Sequence, residues 1–430
     1  MKIPRFAVAI ALLVSTALLA QGKYDRSRGQ TMLRSIKDEI RKHYYDHSYR
    51  GIDLDAHFAA AEKQVGEATS NSQIFGIIAQ TLLEFDDSHL FFQPPPRASR
   101  VEYGWRYQSI GDRCYVTAVK PGSDAHAKGL ATGDLILTID GFAPARDAAW
   151  KLRYLYGSLR PRPVVRMIVQ SPDGKQRQLD IQSEVTEGRQ RVDLTQDHDF
   201  WTLVRDQEKD EHLQRHRYSV VDDVFIWKMP QFDLDDHEIR TMMKKASRHK
   251  ALILDLRGNH GGLVTTLQTL AGAFFDHDVK IADVRSRKDD KDLTAKSWKG
   301  ATFKGPVVVL IDSDSASSSE VLARLVQLEK RGTVIGDRSA GAVMQSRQIA
   351  LQLGADVIIP YGLSVTDADL VMSDGKSLEK TGVTPDELIL PSAKDLAAGH
   401  DPVLARAAKL VSVEMDAAKA GSLFPIEWKK

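Results

Sequence analysis

Residues 307–326 constrain the fold of this chain more than any other stretch. Val307-Val308-Val309-Leu310-Ile311 is a continuous apolar run, mostly β-branched, which is the pattern of a strand buried on both faces. After the turn Asp312-Ser313-Asp314-Ser315-Ala316-Ser317-Ser318-Ser319-Glu320, the residues Val321, Leu322, Leu325 and Val326 recur at helical spacing. A serine in that turn sits at the C-terminal end of a strand and the entry of a helix. There the free N–H groups and the helix dipole favour a developing negative charge. The arrangement suits a nucleophile. It also suits a capping box, since Ser317 and Glu320 have the spacing of that structural device.

The flanking sequence predicts an α/β (α+β multidomain) chain. Val224-Phe225-Ile226-Trp227 and Ala251-Leu252-Ile253-Leu254-Asp255-Leu256 read as further buried strands, with helices over 236–247 and 263–275 and another strand at Thr333-Val334-Ile335-Gly336. In such a sheet ligands bind at the strand C-termini. The glycine turn 258–262 and the serine turn 315–319 are therefore expected on one edge. The core spans 223–395, followed by a final segment, 396–430.

Ahead of the core, residues 24–95 read as an N-terminal helical cap, with Leu33, Ile36, Ile40 and Tyr44 as one apolar stripe. It ends at Ser88-His89, before the boundary marked by Pro94-Pro95-Pro96. Residues 97–185 form a compact β-rich unit, built around Tyr115-Val116-Thr117-Ala118-Val119 and Gly129-Leu130-Ala131-Thr132-Gly133-Asp134-Leu135-Ile136-Leu137-Thr138-Ile139-Asp140-Gly141. This string resembles a PDZ domain. The resemblance implies that peptide C-termini bind by strand addition, with Tyr103, Gly104 and Trp105 where a carboxylate nest stands. Trp105 departs from the small or aliphatic residue usual there. Residues 186–222 are polar and read as a linker or an extended pairing segment.

At the N-terminus, Lys2 and Arg5 precede the apolar run Phe6 to Leu19, too short for a comfortable span. The pattern predicts a signal peptide over 1–20, cut after Ala20, with export to a bacterial periplasm or the exterior and no stable membrane span after cleavage. Cys114 is the only cysteine, so no intrachain disulfide forms. Net charge is +1, from 59 basic and 58 acidic residues, which gives no electrostatic case for nucleic acid. The charged run in 186–222 reads as a solvated face rather than a metal site, and His237-Glu238 lacks the second histidine of a zinc helix.

A nucleophilic serine needs a base, an orienting group and oxyanion donors. Together, Leu254-Asp255-Leu256-Arg257-Gly258-Asn259-His260-Gly261-Gly262 and Ser315-Ala316-Ser317-Ser318-Ser319-Glu320 resemble the two signature turns of the S41 serine peptidases. That family includes tail-specific, C-terminal processing proteases and tricorn-type proteases. The resemblance implies a core of the ClpP/crotonase-like type. It also implies Ser317 as nucleophile, and as oxyanion donors the N–H of Ser318 with that of Gly261 or Gly262. Tail-specific members carry a lysine base about twenty-five residues beyond the serine. In this chain Ala342 stands there, and an alanine accepts no proton. The tricorn-like branch instead has a Ser-His pair before the PDZ domain and a late glutamate. Ser88-His89 and Glu379-Lys380-Thr381-Gly382-Val383-Thr384-Pro385-Asp386 are similar to these. The resemblance then implies His89 as base, with Ser88 and Glu379 as its relay.

The expectation is an exported serine endopeptidase acting on peptide or protein substrates, with their C-termini as the candidate point of capture, and with no cofactor and no metal. Two rivals keep the fold: a catalytically inactive protein binding peptides or lipophilic ligands, and an esterase-like hydrolase. The sequence leaves the oligomeric state open.

Overall fold

The computed structural model describes residues 25–97, 99–187, 216–354 and 358–428. The predicted leader, 1–20, lies outside them, as does most of the 186–222 segment. Residues 25–43 (α1), Leu54–Glu67 (α2) and Asn71–Leu83 (α3) make the N-terminal helical layer. Asp53 caps α2 by accepting from the amides of Asp55 and Ala56, and Ser70 caps α3 through the Gln73 amide. The apolar stripe Leu33, Ile36, Ile40 and Tyr44 is fully buried against Phe58, Val65, Ile78 and Leu82. The chain then turns through Asp86, whose φ is 51°, into the short strand β1, Phe91–Gln93.

The next unit begins with β2 (Ser99–Glu102), β3 (Trp105–Ile110) and β4 (Arg113–Val119). The short helix α4 (Asp124–Ala127), β5 (Leu135–Ile139) and α5 (Ala149–Tyr154) follow. β6 (Val164–Gln170), β7 (Gln176–Gln182) and β8 (Glu184–Glu187) complete it. Its five-stranded sheet has the order β3-β4-β5-β6-β7, so β3 is an edge. The Asp-Gly turn is as tight as its sequence predicts: Asp140 and Gly141 have φ of 49° and 85°, and Ile139 N–H bonds the Phe142 carbonyl at 2.9 Å. β2 pairs β8, so the chain enters and leaves this unit side by side.

The core contains β9 (Arg217–Val221), β10 (Val224–Lys228), α6 (Asp236–Ala246), β11 (Ala251–Asp255) and α7 (Val264–Gly272). An antiparallel pair, β12 (Val279–Ser286) and β13 (Lys291–Ala295), precedes β14 (Val307–Ile311), α8 (Ser318–Leu328) and β15 (Thr333–Gly336). The long hairpin β16 (Met344–Leu353) and β17 (Ile359–Met372) leads to β18 (Glu387–Leu388), then α9 (Ala393–Ala398), α10 (Pro402–Leu410) and α11 (Ala417–Ser422).

The main sheet runs β18-β15-β14-β11-β10-β9, parallel except for β9. β14 lies between β11 and β15, and every one of its residues is buried. One face packs on α6, α7 and α8 through Ile239, Leu267 and Leu325; the other packs on α10 through Leu404 and Ala407. Hence β14 and β11 read as unbroken apolar runs rather than alternating ones. β9 shows that the end of the 186–222 segment is an extended pairing strand, which covers the edge of β10.

A second sheet, β1-β17-β12-β13 with β16 on β17, is antiparallel. Its pairing of Phe91 with Ser364 carries the residues just before β1 to the segment that follows β17. That register builds half of the candidate site.

Candidate active site

β11 and β14 are adjacent and parallel, with Asp255 opposite Leu310, so the glycine and serine turns leave the same edge. They are laced together. Ser315 Oγ donates to the Leu256 carbonyl at 2.8 Å, Ser318 Oγ to the Gly262 carbonyl at 3.2 Å, and Ser319 Oγ to the Asn259 carbonyl at 2.9 Å. Asn259 is fully buried and braces its own turn: Nδ2 donates to the Met229 carbonyl and Oδ1 accepts from Gly261 N–H, both at 2.8 Å. The serines around Ser317 are thus committed to holding the turns.

Ser317 itself has φ 55° and ψ −120°. An ordinary capping serine sits in the extended region. A non-glycine residue in this sparsely populated region is strained, and such strain clusters at functional sites. The turn that imposes it needs Gly261, at φ 91°, because a Cβ there would lie 2.6 Å from the Ser317 Cβ. Because Gly261 N–H is spent on Asn259, the Gly262 and Ser318 amides are the ones without a protein acceptor among the described residues.

Glu320 lies beneath the serine and is fully buried. Its carboxylate accepts from Ser317 N–H at 3.1 Å, Gly341 N–H at 2.8 Å, Ala342 N–H at 3.0 Å and Ser339 Oγ at 2.5 Å. Burial pushes its pKa up to about 7, against these four donors, which favour the ionised form. The sequence shows Glu320 only as half of a capping box. In the fold it anchors the whole 339–342 loop. That loop also holds the serine from the other side, since Ser317 N–H donates to the Ala342 carbonyl at 2.8 Å.

The second half of the site comes from β1 and the turn after β17. Ser88 Oγ lies 2.7 Å from Glu379 Oε2 and 2.8 Å from His89 Nδ1, and Ser88 N–H donates to Glu379 Oε1 at 3.0 Å. Since the Ser88 hydroxyl donates to the carboxylate, its oxygen accepts from the histidine. This assigns the proton to Nδ1 and leaves Nε2 as an acceptor. Burial holds the His89 pKa below the ordinary histidine value, with Asp87 opposing the shift. Burial also raises that of Glu379. Asp87, which sequence reasoning passed over, is buried. It accepts from Tyr44 Oη at 2.8 Å, Thr366 Oγ1 at 2.6 Å and His89 N–H at 2.9 Å. The two halves meet at one residue pair: Val343 N–H donates to Glu379 Oε2 at 2.9 Å, next to the Ala342 that holds Ser317. The serine and the histidine are joined through this bridge rather than by a direct hydrogen bond.

A buried ion cluster supports the glycine turn. Asp255 is fully buried between Lys228 at 3.2 Å and Arg257 at 2.8 Å, and Arg257 also forks onto Asp401 at 2.7 Å. The two cations hold the Asp255 carboxyl far below its usual range, despite burial. Asp401 belongs to the segment beyond 395, which sequence reading left without a role.

Tyr103, Gly104 and Trp105 stand at the start of β3 and contact the unit rather than the catalytic candidates. Gly104 has φ 71°, and its carbonyl accepts from Lys120 N–H at 2.8 Å; Tyr103 Oη accepts from Arg162 N–H at 2.9 Å. The unit is clamped to the serine turn: Arg153 grips Asp314 with two bonds, at 2.6 and 3.0 Å, and Gln108 Nε2 donates to Asp312 at 2.5 Å. Among the described residues, no group of three or more His, Cys, Asp or Glu is placed to hold a metal ion. None of their helices is long and apolar enough to cross a membrane.

Residues 224–389 match peptidase family S41. The chain is 31% identical over 160 residues to a carboxy-terminal-processing protease of Bartonella bacilliformis, covering 36% of this chain and 34% of that protein. It is 24% identical over 393 residues to putative tricorn protease homolog 2 of Streptomyces coelicolor, covering 86% of this chain and 31% of that one. The chain therefore spans about a third of the length of these relatives. The crystal structure of mature CPAF has the same fold, with a TM-score of 0.64 at 15% identity over 87% of this chain and 94% of that one. Residues 224–389, the stretch that matches peptidase family S41, hold both turns, Ser317 and Glu379.

Proposed function

We propose that the protein is an exported serine endopeptidase in which Ser317 is the nucleophile and His89 its base. The observation that carries this reading is the chain Glu379–Ser88–His89, whose bonds of 2.7 and 2.8 Å fix the imidazole with Nε2 as its acceptor nitrogen. Ser317 Oγ attacks the peptide carbonyl and passes its proton to Nε2. The imidazolium is stabilised through Ser88 by Glu379 and returns the proton to the leaving amine; water then cleaves the acyl-enzyme by the same route. The oxyanion lies between the Ser318 and Gly262 amides, at the N-terminus of α8, where the helix dipole adds to their charge.

The 97–185 unit is read as a PDZ domain that feeds peptide to the site. Its edge strand β3 has no strand on its outer side, which leaves its first residues to strand addition, and Gln108 and Arg153 tie the unit to the turn carrying Ser317. Peptide or protein C-termini, the substrates of a C-terminal processing protease, are the proposed ligands. The leader over 1–20 would take the chain out of the cytoplasm.

A fluorophosphonate probe tests the reading. Label is expected on the peptide containing Ser317, and not on a Ser317→Ala chain. A folded chain that takes no label is a ligand-binding protein instead. Labelling with turnover of small acyl esters but of no peptide makes it an esterase.

A further inference from the structure

A cavity of about 1140 Å3 opens between β3 of the 97–185 unit and the core. Trp105 and Tyr156 line its outer side, and Gly258, Asp312 and Asp314 line its inner side. A remaining part of the wall belongs to neither. It is the irregular segment Phe424–Trp428, which follows α11 and reaches from the core to the edge strand.

The segment is held at both ends. On the core side, Arg217 of β9 donates to the Pro425 carbonyl at 2.8 Å, lies 3.8 Å from Glu427 and stands 5.6 Å over the Phe424 ring. On the other side, the Arg106 guanidinium of β3 stands 4.8 Å over the Trp428 ring. Arg106 is half-buried and forms no ion pair within 4 Å among the described residues; Glu102 acts on its charge from further off, and the indole face meets it directly. Between the anchors Ile426 is 48% exposed. The contact is therefore made at two grips rather than along a packed surface.

An unpaired edge strand is a template for any extended chain, and proteins blunt such edges. A segment tethered a few residues from its groove has an effective concentration on the order of millimolar. Even a weak aromatic contact at that concentration competes with dilute peptide. We infer that residues 424–428 are an intramolecular competitor, a strap that closes one side of the groove beside β3 and that an incoming peptide must displace. The inference rests on the peptide-groove reading above. The ligand favoured to displace it carries an aromatic side chain for Arg106.

Competition of this kind lowers the fraction of chain ready to bind and leaves the chemical step alone. Losing the indole in Trp428→Ala, or the core grip in Arg217→Ala, should lower KM roughly fivefold at constant kcat, the worth of one such contact. A second measurement needs no hydrolysis. In a Ser317→Ala background, a fluorescent peptide of sequence Phe-Pro-Ile-Glu-Trp should bind the Trp428→Ala chain several-fold more tightly than the chain with its own strap, read by anisotropy. Equal affinity for both chains overturns the strap, whatever the hydrolysis result. If the peptide discriminates between them while no variant with Ser317 cleaves any peptide, the strap stands and the endopeptidase reading falls.

Discussion

Ser88 Oγ and Glu379 Oε2 lie 2.7 Å apart although 291 positions of sequence separate them. In the proposed relay the contact sets the direction of every proton. With the hydroxyl spent on the carboxylate, the histidine has one available tautomer. Glu379→Gln keeps the shape but offers an amide, which can present a donor to Ser88 and reverse that bond. Ser88→Ala removes the relay outright. Both are expected to lower kcat by roughly 10- to 1000-fold, less than loss of His89, with little change in KM for a common peptide substrate.

The pH profile follows from the direction of the His89 shift. A base works when neutral, and burial holds the His89 pKa below its ordinary value. Activity is therefore retained below pH 6.5 and lost as pH falls through the depressed pKa, giving an acidic limb displaced toward acid. His89→Ala should remove that limb along with orders of magnitude in kcat. Lys330 follows α8, far from Ser317 and exposed, so Lys330→Met should leave the profile unchanged. Loss of activity in Lys330→Met with retention in His89→Ala would refute the assignment.

Three neighbouring serines separate chemistry from support. Ser317→Ala should abolish turnover with the melting temperature unchanged or raised, since a strained residue loses only its hydroxyl. Ser315→Ala and Ser319→Ala each cut a buried tie to the glycine turn. They should cost about 1–2 kcal/mol of stability and retain activity. Thermal melts and single-peptide kinetics on the three variants distinguish these outcomes.

Glu320 makes stability depend on pH in the opposite sense from a salt-bridged carboxylate. Its folded pKa, about 7, exceeds the ordinary value of 4.5. The folded state therefore binds the proton more tightly than the unfolded state. The stability linked to this group is fully present below pH 4.5 and is lost as pH rises through about 7. Glu320→Gln should flatten that slope in denaturant titrations. It should also depress activity, because an amide cannot accept from the Ser317, Gly341 and Ala342 amides together.

Arg257→Ala leaves Asp255 buried with Lys228 as its one remaining cation and releases Asp401. Breaking such a pair from one side costs about 3–5 kcal/mol. A melting temperature within a degree or two of the parent chain would show that the cluster is dispensable.

The buried strands and both signature turns were legible because their sequence is local: β11 and β14 are unbroken apolar runs, and the turns follow directly from them. Ser88, His89 and Glu379 were found only through a resemblance, since nothing in their own neighbourhoods announces that they meet. What joins them is the β1–β17 register, a non-local pairing no periodicity reveals. Glu320 was legible as a cap but not as the anchor of residues 339–342, and Asp87 and Asp401 gave no signal at all. Their importance comes from burial, which a sequence pattern does not assign to an isolated acidic residue. The antiparallel sheet escaped the α/β reading because its pairings, too, join distant segments.

The β1–β17 pairing also has a bearing on synthesis. The histidine emerges early from the ribosome, the serine much later, and the glutamate that orients the histidine later still. Until β17 has been made and has received β1, the imidazole has no relay and the Ala342–Val343 bridge has nothing to join. If Ser317 and His89 act as proposed, the chain is in this way kept inert while its own segments are still extended and cleavable. In the proposed mechanism, completion of the β1–β17 pairing is what arms it.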